Sequence, residues 1–275
     1  MNNFKQAVKT IVPTAAWAIL KRARVSVASS FFRPYLVHHQ YYGSEFEIRI
    51  ADGVAQGWYD HDWPTMAEFD LLRTGKLQPG ARVFDIGAHQ SVVALMLSRI
   101  VGTQGQVIAI EADRHCVNIG RENCERNQAA NLEIVHGAIA AKSGEITFTL
   151  DGHVDNPSQK SARVVVPAYS VDDLAERYGM PDVLFIDVEG YECEALRGAA
   201  KTLSYKPDCF VEIHVGAGLE DFGGTVPELL EFFPEAHYTL FTAKPDGSAF
   251  VPLARGGVAV RERCFLVALG KSSIC

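Results

Sequence analysis

The chain has 275 residues and a formal net charge of −7 at pH 7. Hydrophobic residues make up 48% of the chain and charged residues 21%, which excludes the disordered, collagen-like and coiled-coil classes. The acidic balance argues against a nucleic-acid partner, and no apolar run reaches the roughly 18 residues that a membrane-spanning helix needs.

The first 44 residues are basic, although the chain as a whole is acidic. They contain six Lys or Arg residues and no Asp or Glu, and an apolar stretch over residues 11–20 ends directly before Lys21 and Arg22. We favour a helix that packs on the domain; a basic helix at a membrane surface and a cleaved targeting peptide are the alternatives. The sequence therefore predicts a basic extension with a helix and a short strand over residues 1–56, and the main domain over residues 57–275.

The cysteines indicate the compartment. None of the six forms a CxxC pair, and no His or Cys spacing is typical of a zinc site. A reducing environment is the simplest interpretation, so we expect a cytoplasmic protein. Peripheral contact with a membrane through the basic N-terminus is the alternative.

The predicted elements begin with a strand over residues 46–50 and a turn at Asp52 and Gly53. Residues 57–63 are rich in aromatic side chains, which suit either a wall for stacking sugars or a hydrophobic plug under the N-terminal helix. A helix is predicted over residues 65–76, with Thr65 as its N-cap and Glu68 three positions later.

From residue 82 onward, short apolar strands alternate with helices. The predicted strands are 82–86, 106–110, 132–135, 146–150, 163–166, 183–186, 209–213, 238–242, 249–253 and 264–268. The predicted helices are 91–101, 114–127, 170–178, 191–203 and 225–233, and a polar loop covers residues 151–161. This alternation predicts a mostly parallel sheet with helices on both faces, which binds its ligands at the carboxyl ends of the strands.

The first of these strand ends carries Asp85, followed by Gly87 and a helix that begins near Ser91. A glycine lets the backbone approach a ligand, and a helix N-terminus offers free N–H groups to an anion. A dinucleotide fingerprint needs G-x-G-x-x-G, but His89 and Ser91 stand where further glycines are required. The loop therefore fits a carboxylate better than a pyrophosphate.

The second strand end carries Glu111, 26 residues after Asp85. An acid at this position is placed to accept hydrogen bonds from both hydroxyls of a ribose, which indicates a nucleoside ligand. Asp113 is explained equally well as the cap of the following helix.

Acidic side chains and a histidine follow two further apolar strands. Asp187 and Glu189 come after the strand over residues 183–186, and Glu212 and His214 share one face at the end of the next. Acidic groups in an apolar strand are costly unless they are paired or liganded. A structural carboxylate at position 212 and a hydrogen-bonded histidine at position 214 are the alternatives to a functional site.

Four motifs, in this order, resemble those of the FkbM-type S-adenosylmethionine-dependent methyltransferases: VFDIGAHQS at 83–91, IEAD at 110–113, IDVEGYECEALRGA at 186–199 and VEIH at 211–214. The third motif is the most specific. The resemblance implies an α/β class I methyltransferase fold, a Rossmann-like three-layer sandwich with a seven-stranded, mostly parallel sheet of order 3-2-1-4-5-7-6. Residues 57–275 would then be the methyltransferase domain, with S-adenosylmethionine as cofactor.

The resemblance also implies roles for residues at the strand ends. The loop after the first strand would hold the methionine part of the cofactor, the acid after the second its ribose, and the residues after the third its adenine. The implied cofactor residues are Asp85, Gly87, Ala88, His89, Ser91, Glu111, Ala112, Asp113, Gly137, Ala138 and Asp187. The family pattern D-x-G-A-N-x-G is broken at His89 and at Ser91, where a side chain stands at a position expected to approach the cofactor through its backbone alone.

The implied reaction is methyl transfer to a hydroxyl of a sugar, glycolipid or secondary metabolite, so the expected partner is a small-molecule or glycan acceptor. An alcohol is a poor nucleophile at neutral pH, and a base beside it is expected. His214 is the first candidate because the intrinsic pKa of histidine lies near neutrality, with Glu212 orienting its ring; Glu189 and Asp187 are the rivals. No ligand spacing requires a metal, and we expect none.

Two other functions are considered. A non-catalytic relative that binds S-adenosylmethionine is motivated by the departures at His89 and Ser91. A nucleotide-dependent oxidoreductase is the second alternative, and the missing glycines argue against it.

Overall fold

The computed structural model describes residues 32–149, 163–253 and 262–271. The predicted N-terminal helix over residues 11–20 and the polar loop over residues 151–161 lie outside the described residues. Within them, no helix combines the length and the apolar character that crossing a bilayer requires. The division of the chain at residue 56 stays a prediction.

Eight strands form the central sheet, in the spatial order β12-β11-β13-β10-β9-β3-β4-β5. They are β3 (Arg82–Ile86), β4 (Gln106–Glu111), β5 (Leu132–His136), β9 (Val183–Ile186), β10 (Asp208–Ile213), β11 (Tyr238–Ala243), β12 (Val251–Pro252) and β13 (Cys264–Gly270). Strand β13 runs antiparallel to β10 and β11, whereas β3, β4, β5, β9 and β10 are parallel. Without the two-residue edge strand β12, this is the order 3-2-1-4-5-7-6, and the class I methyltransferase fold is confirmed.

Helices cover both faces of the sheet. They are α1 (Gly53–Tyr59), α2 (Ala67–Leu72), α3 (Val92–Val101), α4 (Arg114–Arg126), α5 (Val171–Tyr178), α6 (Glu192–Arg197), α7 (Ala200–Ser204) and α8 (Val226–Glu231), with a 3₁₀ turn at Leu219–Phe222. Buried side chains of α1, α2 and α3 pack with one face of the sheet, and those of α5, α6 and α8 pack with the other. Each face thus buries a continuous apolar layer, which leaves the strand ends to carry polar groups.

Two smaller sheets flank the central one. Strands β1 (Tyr35–Tyr41) and β2 (Ser44–Ile50) form an antiparallel hairpin, and the buried side chains of Phe46 and Ile48 belong to the same core as α3. The sequence predicted β2 and missed β1, whose residues alternate in burial but include polar His38 and His39. The other sheet contains β6 (Ala138–Ile139), β7 (Gly144–Thr149) and β8 (Arg163–Tyr169).

Three local predictions are wrong. Asp52 does not open a turn; its carboxylate caps α1 by accepting hydrogen bonds from two backbone N–H groups. The helix predicted over residues 65–76 covers only residues 67–72: Met66 and not Thr65 stands at its N-cap, and after Leu72 the backbone N–H groups of Thr74 and Gly75 bond three residues back instead of four. The helix predicted over residues 191–203 is split at Gly198, whose carbonyl accepts from the backbone of Asp172 while that aspartate caps α7.

Candidate active site

The loop after β3 is held between the ends of β4 and β9. The backbone N–H groups of Gly87 and Ala88 donate to the carbonyl of Ile110, at 2.9 and 3.1 Å. Gly87 has φ +86°, and a Cβ at this position would overlap the carbonyl oxygen of Asp187. Only glycine fits here, so the loop presents bare backbone at the end of the sheet.

Asp85 is buried at the end of β3. Its Oδ2 atom has no hydrogen-bond partner in the described part of the chain. Burial, together with the nearby charge of Glu111, raises the pKa of Asp85 to about 7. An orphaned carboxylate oxygen of this kind is available to a cationic or hydrogen-bond-donating ligand.

Glu111 ends β4 and is fixed by the backbone. Its Oε2 accepts from the N–H of His89 at 2.8 Å and its Oε1 from the N–H of Asp113 at 2.7 Å. Burial outweighs these hydrogen bonds and raises the pKa of Glu111 to about 7. Each oxygen keeps a second lone pair, so the carboxylate can still accept two hydroxyls. The side chain of Asp113 caps α4 by accepting a hydrogen bond from the backbone N–H of Cys116, which agrees with the alternative interpretation of this residue.

The residues after β5 form an apolar patch beside Glu111. Gly137 donates its N–H to the carbonyl of Glu111 at 2.8 Å and lies against the ring of Tyr169. Ala138 packs with Ala112 in a small buried cluster. The structure therefore brings the implied ribose and adenine residues together at one sheet edge.

His89 connects the loop to helix α1. Its Nδ1 atom lies 2.9 Å from the hydroxyl of Tyr59, and its ring is 5.1 Å from that of Trp58. Burial lowers the pKa of His89 to about 4, so the ring is neutral at physiological pH. Tyr59 is buried whereas Trp58 is exposed, and the aromatic segment thus both plugs the core and borders the loop. This contact joins residues 30 positions apart, and no sequence pattern predicts it.

Ser91 does not occupy the open end of the sheet. Its side chain is fully buried against Gly120 of α4, where a Cβ would lie 2.6 Å from the Ser91 Oγ atom. The residue adopts φ 61°, a conformation that favours glycine, which explains the glycine of the family pattern. The expectation that this side chain stands between backbone and cofactor is therefore wrong.

Replacing Ser91 with glycine is expected to raise the free energy of unfolding by about 1 kcal/mol and to leave cofactor affinity unchanged or better. The change removes backbone strain of about 1–2 kcal/mol. It also removes a buried hydroxyl that has no hydrogen bond among the described residues. The greater conformational entropy of glycine in the unfolded chain offsets part of this gain. Urea unfolding measures it. Gln128→Gly is the control, because Gln128 has φ 50° but an exposed side chain. A tenfold loss of cofactor affinity in Ser91→Gly would make the hydroxyl a ligand-binding group.

An acid cluster surrounds His214 at the ends of β9 and β10. The imidazole is 1% exposed, and its Nε2 atom lies 3.3 Å from Glu189 Oε2 and 3.7 Å from Asp187 Oδ1. Glu212 Oε1 lies 4.0 Å from the same nitrogen. The structure thus brings together all four strand-end residues that the sequence singled out, and Gly87 places the loop after β3 against them.

The residue that orients the imidazole is Glu192, and the prediction that Glu212 does so is wrong. Glu192 Oε1 lies 2.7 Å from His214 Nδ1 and also accepts the N–H of Gly190. Glu212 instead pairs with Nε of Arg263. Glu192 is fully buried at the start of α6, and its place in the third motif is the sequence signal for it.

The loop that carries the acids is conformationally strained. Glu189 has φ 49° and Gly190 has φ 104°, and the backbone of Gly190 packs directly on Gly218. A non-glycine residue in this region costs about 1–2 kcal/mol, which the surrounding contacts have to offset. Such strain is typical of functional sites because it holds a side chain in a set position.

The acids determine the protonation of the cluster. Burial disfavours a charged ring, but the hydrogen bond to Glu192 and the nearby carboxylates raise the pKa of His214 to about 9. Burial and the charge of Glu212 also raise the pKa of Asp187. At neutral pH the imidazole therefore holds a proton, and the premise of a histidine pKa near neutrality does not hold here.

The chain is similar in sequence to known methyltransferases. A model of the methyltransferase FkbM domain matches residues 85–240, more than half of the chain. The hexuronic acid methyltransferase AglP of Haloferax volcanii is 23% identical over 219 residues, which is 78% of this chain and 86% of that protein. The ribosomal protein L11 methyltransferase of Chloroflexus aurantiacus is 33% identical over 109 residues, covering 39% of this chain and 32% of that protein.

One of the matching solved structures is also a methyltransferase. The O-methyltransferase from Bacillus cereus, determined in complex with SAH, has a TM-score of 0.45 and 16% identity. The similarity covers 74% of this chain and 79% of that one.

Proposed function

Because this chain belongs to the FkbM methyltransferase domain family, we propose that it transfers the methyl group of S-adenosylmethionine to a hydroxyl of a sugar-containing acceptor. Its class, an S-adenosylmethionine-dependent methyltransferase, is given by the family. The hydroxyl and the sugar are the proposal. The observation that supports it most is the pair of carboxylates of Glu189 and Asp187 beside the loop after β3, because carboxylates that can accept a proton suit an alcohol acceptor.

The residues at the strand ends fit the cofactor. We propose that the unpartnered carboxylate oxygen of Asp85 and the bare backbone at Gly87 hold its methionine part, and that Glu111 accepts from its ribose hydroxyls. The patch of Ala112 and Ala138 suits the adenine ring. When bound, the cofactor supplies an electrophilic methyl group on a sulfonium.

The side chains of the cluster differ in their exposure to solvent. The side chains of Asp187 and Glu189 are 37% and 39% exposed, so an acceptor can reach them, whereas His214 is 1% exposed. We propose that Glu189 and Asp187 hold the acceptor hydroxyl and take its proton. His214 lies behind both and fixes their positions through Nε2.

The sugar acceptor is supported by a relative that matches 78% of this chain and that by its name is a hexuronic acid methyltransferase. The test is an incubation with tritiated S-adenosylmethionine and matched glycosides of hexuronic acids, neutral hexoses and non-sugar alcohols. We expect label in the sugar glycosides, and a strong decrease of that label in Glu189→Gln. Label confined to the non-sugar alcohols would contradict the proposal.

Replacing Glu111 with alanine is expected to weaken S-adenosylmethionine binding by about 1.5–3 kcal/mol, the usual range for hydrogen bonds to a charged group. Calorimetric titration measures this change. Glu133→Ala is the matched control, because Glu133 lies on the adjacent strand β5 but is exposed and bonds to Tyr178. Unchanged affinity in a folded Glu111→Ala protein would remove this residue from the cofactor site.

A further inference from the structure

Three side chains at the ends of β9 and β10 have the composition and spacing of a metal site. Asp187, Glu212 and His214 each offer one donor atom, and these atoms lie within 4.8 Å of one another. Donors bound to one ion at about 2.0–2.2 Å lie about 3–4.4 Å apart, so small side-chain rotations would close the set around a cation. Asp187 is separated from the other two residues by at least 25 positions in the sequence. For this reason no ligand spacing in the sequence indicated a metal site.

The imidazole points to a ligand independently of the acids. His214 is 1% exposed, yet its Nε2 atom makes no hydrogen bond to any described residue. Its other nitrogen, Nδ1, lies 2.7 Å from the carboxylate of Glu192, which is fully buried. Metal-ligating histidines almost always donate their second ring N–H to a carboxylate in this way, because it fixes the ring and strengthens the ligand.

The charge balance favours a cation as well. Four carboxylates, those of Asp187, Glu189, Glu192 and Glu212, lie within 4.0 Å of the His214 ring nitrogens. Among the described residues near them, Arg263 is paired with Oε1 of Glu212, the oxygen that also lies 4.0 Å from His214 Nε2. Packing these carboxylates together is costly unless a positive charge lies between them, and a divalent cation at Nε2 would supply more of that charge than the single proton of the imidazolium does.

We propose that Asp187, Glu212 and His214 bind one divalent first-row transition-metal cation through two carboxylate oxygens and Nε2. The donor set of oxygens and one imidazole suits such an ion, and the cation takes the place of the proton on Nε2. Its role rests on the proposed function: bound here, it holds and polarises the acceptor hydroxyl beside Glu189. Binding itself requires neither the cofactor nor the acceptor.

The test uses Co²⁺, whose visible absorption reports its ligands. The full chain is freed of metal with EDTA and titrated with Co²⁺ in the absence of S-adenosylmethionine. We expect one tight ion per chain, and at least tenfold weaker binding in Asp187→Asn, Glu212→Gln and Glu192→Gln. Glu176→Gln is the control, since Glu176 is an exposed acid on α5 that pairs with Lys201. The far-UV circular dichroism spectrum and the urea unfolding transition of each variant verify its fold.

Two results would overturn the site: no stoichiometric Co²⁺ binding, or binding that is equally tight in all the variants. Methyl transfer is measured separately, with EDTA and with added Co²⁺. Full activity in EDTA together with no bound ion would reject the metal site and leave the proposed function intact. Tight Co²⁺ binding without transfer to any sugar would reject the proposed function and leave the metal site intact.

Discussion

Replacing His214 with alanine is expected to lower turnover by about 10²-fold, because the carboxylates that it positions move, while leaving the affinity for S-adenosylmethionine nearly unchanged. The imidazole lies within 4.0 Å of Asp187, Glu189 and Glu212, so its removal releases the carboxylates that face the acceptor. The proposed cofactor contacts of Asp85 and Glu111 involve other groups and are left in place. Steady-state turnover and calorimetric cofactor titration give the two quantities.

A second variant separates chemistry from folding, because alanine at position 214 also leaves Glu192 buried without its partner. Glu189→Gln keeps the shape of a side chain that is 39% exposed and removes its ability to accept a proton. We expect a comparable loss of turnover with an unchanged thermal transition, and no effect in the exposed control Glu176→Gln. Wild-type turnover in both His214→Ala and Glu189→Gln would show that the reaction needs no base from this cluster and depends only on how the acceptor and the methyl group are placed.

Replacing Gly87 with alanine is expected to destabilise the fold by about 3–5 kcal/mol and to abolish measurable cofactor binding, an effect at the upper end for single substitutions. Two causes act together at this position. The backbone has φ +86°, and the new Cβ would overlap the carbonyl oxygen of Asp187, which as a backbone atom cannot rotate away. The ends of β3 and β9 would have to separate.

Gly80 provides the matched control for Gly87. It has φ +91°, nearly the same conformation, but nothing lies within 4 Å of a Cβ built on it. Gly80→Ala therefore costs only the backbone strain, about 1–2 kcal/mol, and leaves cofactor affinity unchanged. Urea unfolding of the two variants gives the difference. Equal destabilisation by both substitutions would show that the close approach to Asp187 is not what requires glycine at position 87.

The central sheet could be predicted from the sequence because its strands are short apolar runs that alternate with helices. The predicted strand 82–86 is β3 and the predicted strand 183–186 is β9, and the polar residues that follow them lie at one edge of the sheet. Periodicity fails where a strand has few apolar residues, as in β1, and where packing ends a helix early, as at Gly198.

The contacts within the site could be predicted only in part. Strand ends place Asp187 and His214 near each other, since neighbouring parallel strands end at the same edge. The partners that set their chemistry come from elsewhere: Glu192 from the start of α6 and Arg263 from the approach to β13. A strand pattern carries no information on which helix or loop side chain turns toward it, so Glu212 was expected in the place that Glu192 occupies.

Transfer to a hydroxyl, rather than to a carboxylate, is the central claim of the proposed reaction. A hexuronic acid offers both groups, but only the alcohol needs a nearby base, since a carboxylate is already an anion at neutral pH. The presence of Glu189 and Asp187 beside the cofactor loop is therefore expected to matter for an ether product and not for an ester.

One measurement decides between the two products most directly. The protein is incubated with S-adenosylmethionine carrying a ¹³C-labelled methyl group and a hexuronic acid glycoside, and the product is examined by ¹H–¹³C NMR before and after mild alkali. The proposed function predicts a methyl signal bonded to oxygen on a sugar ring carbon that survives alkali, as an ether does. Loss of the label as methanol, which identifies a methyl ester, would contradict it.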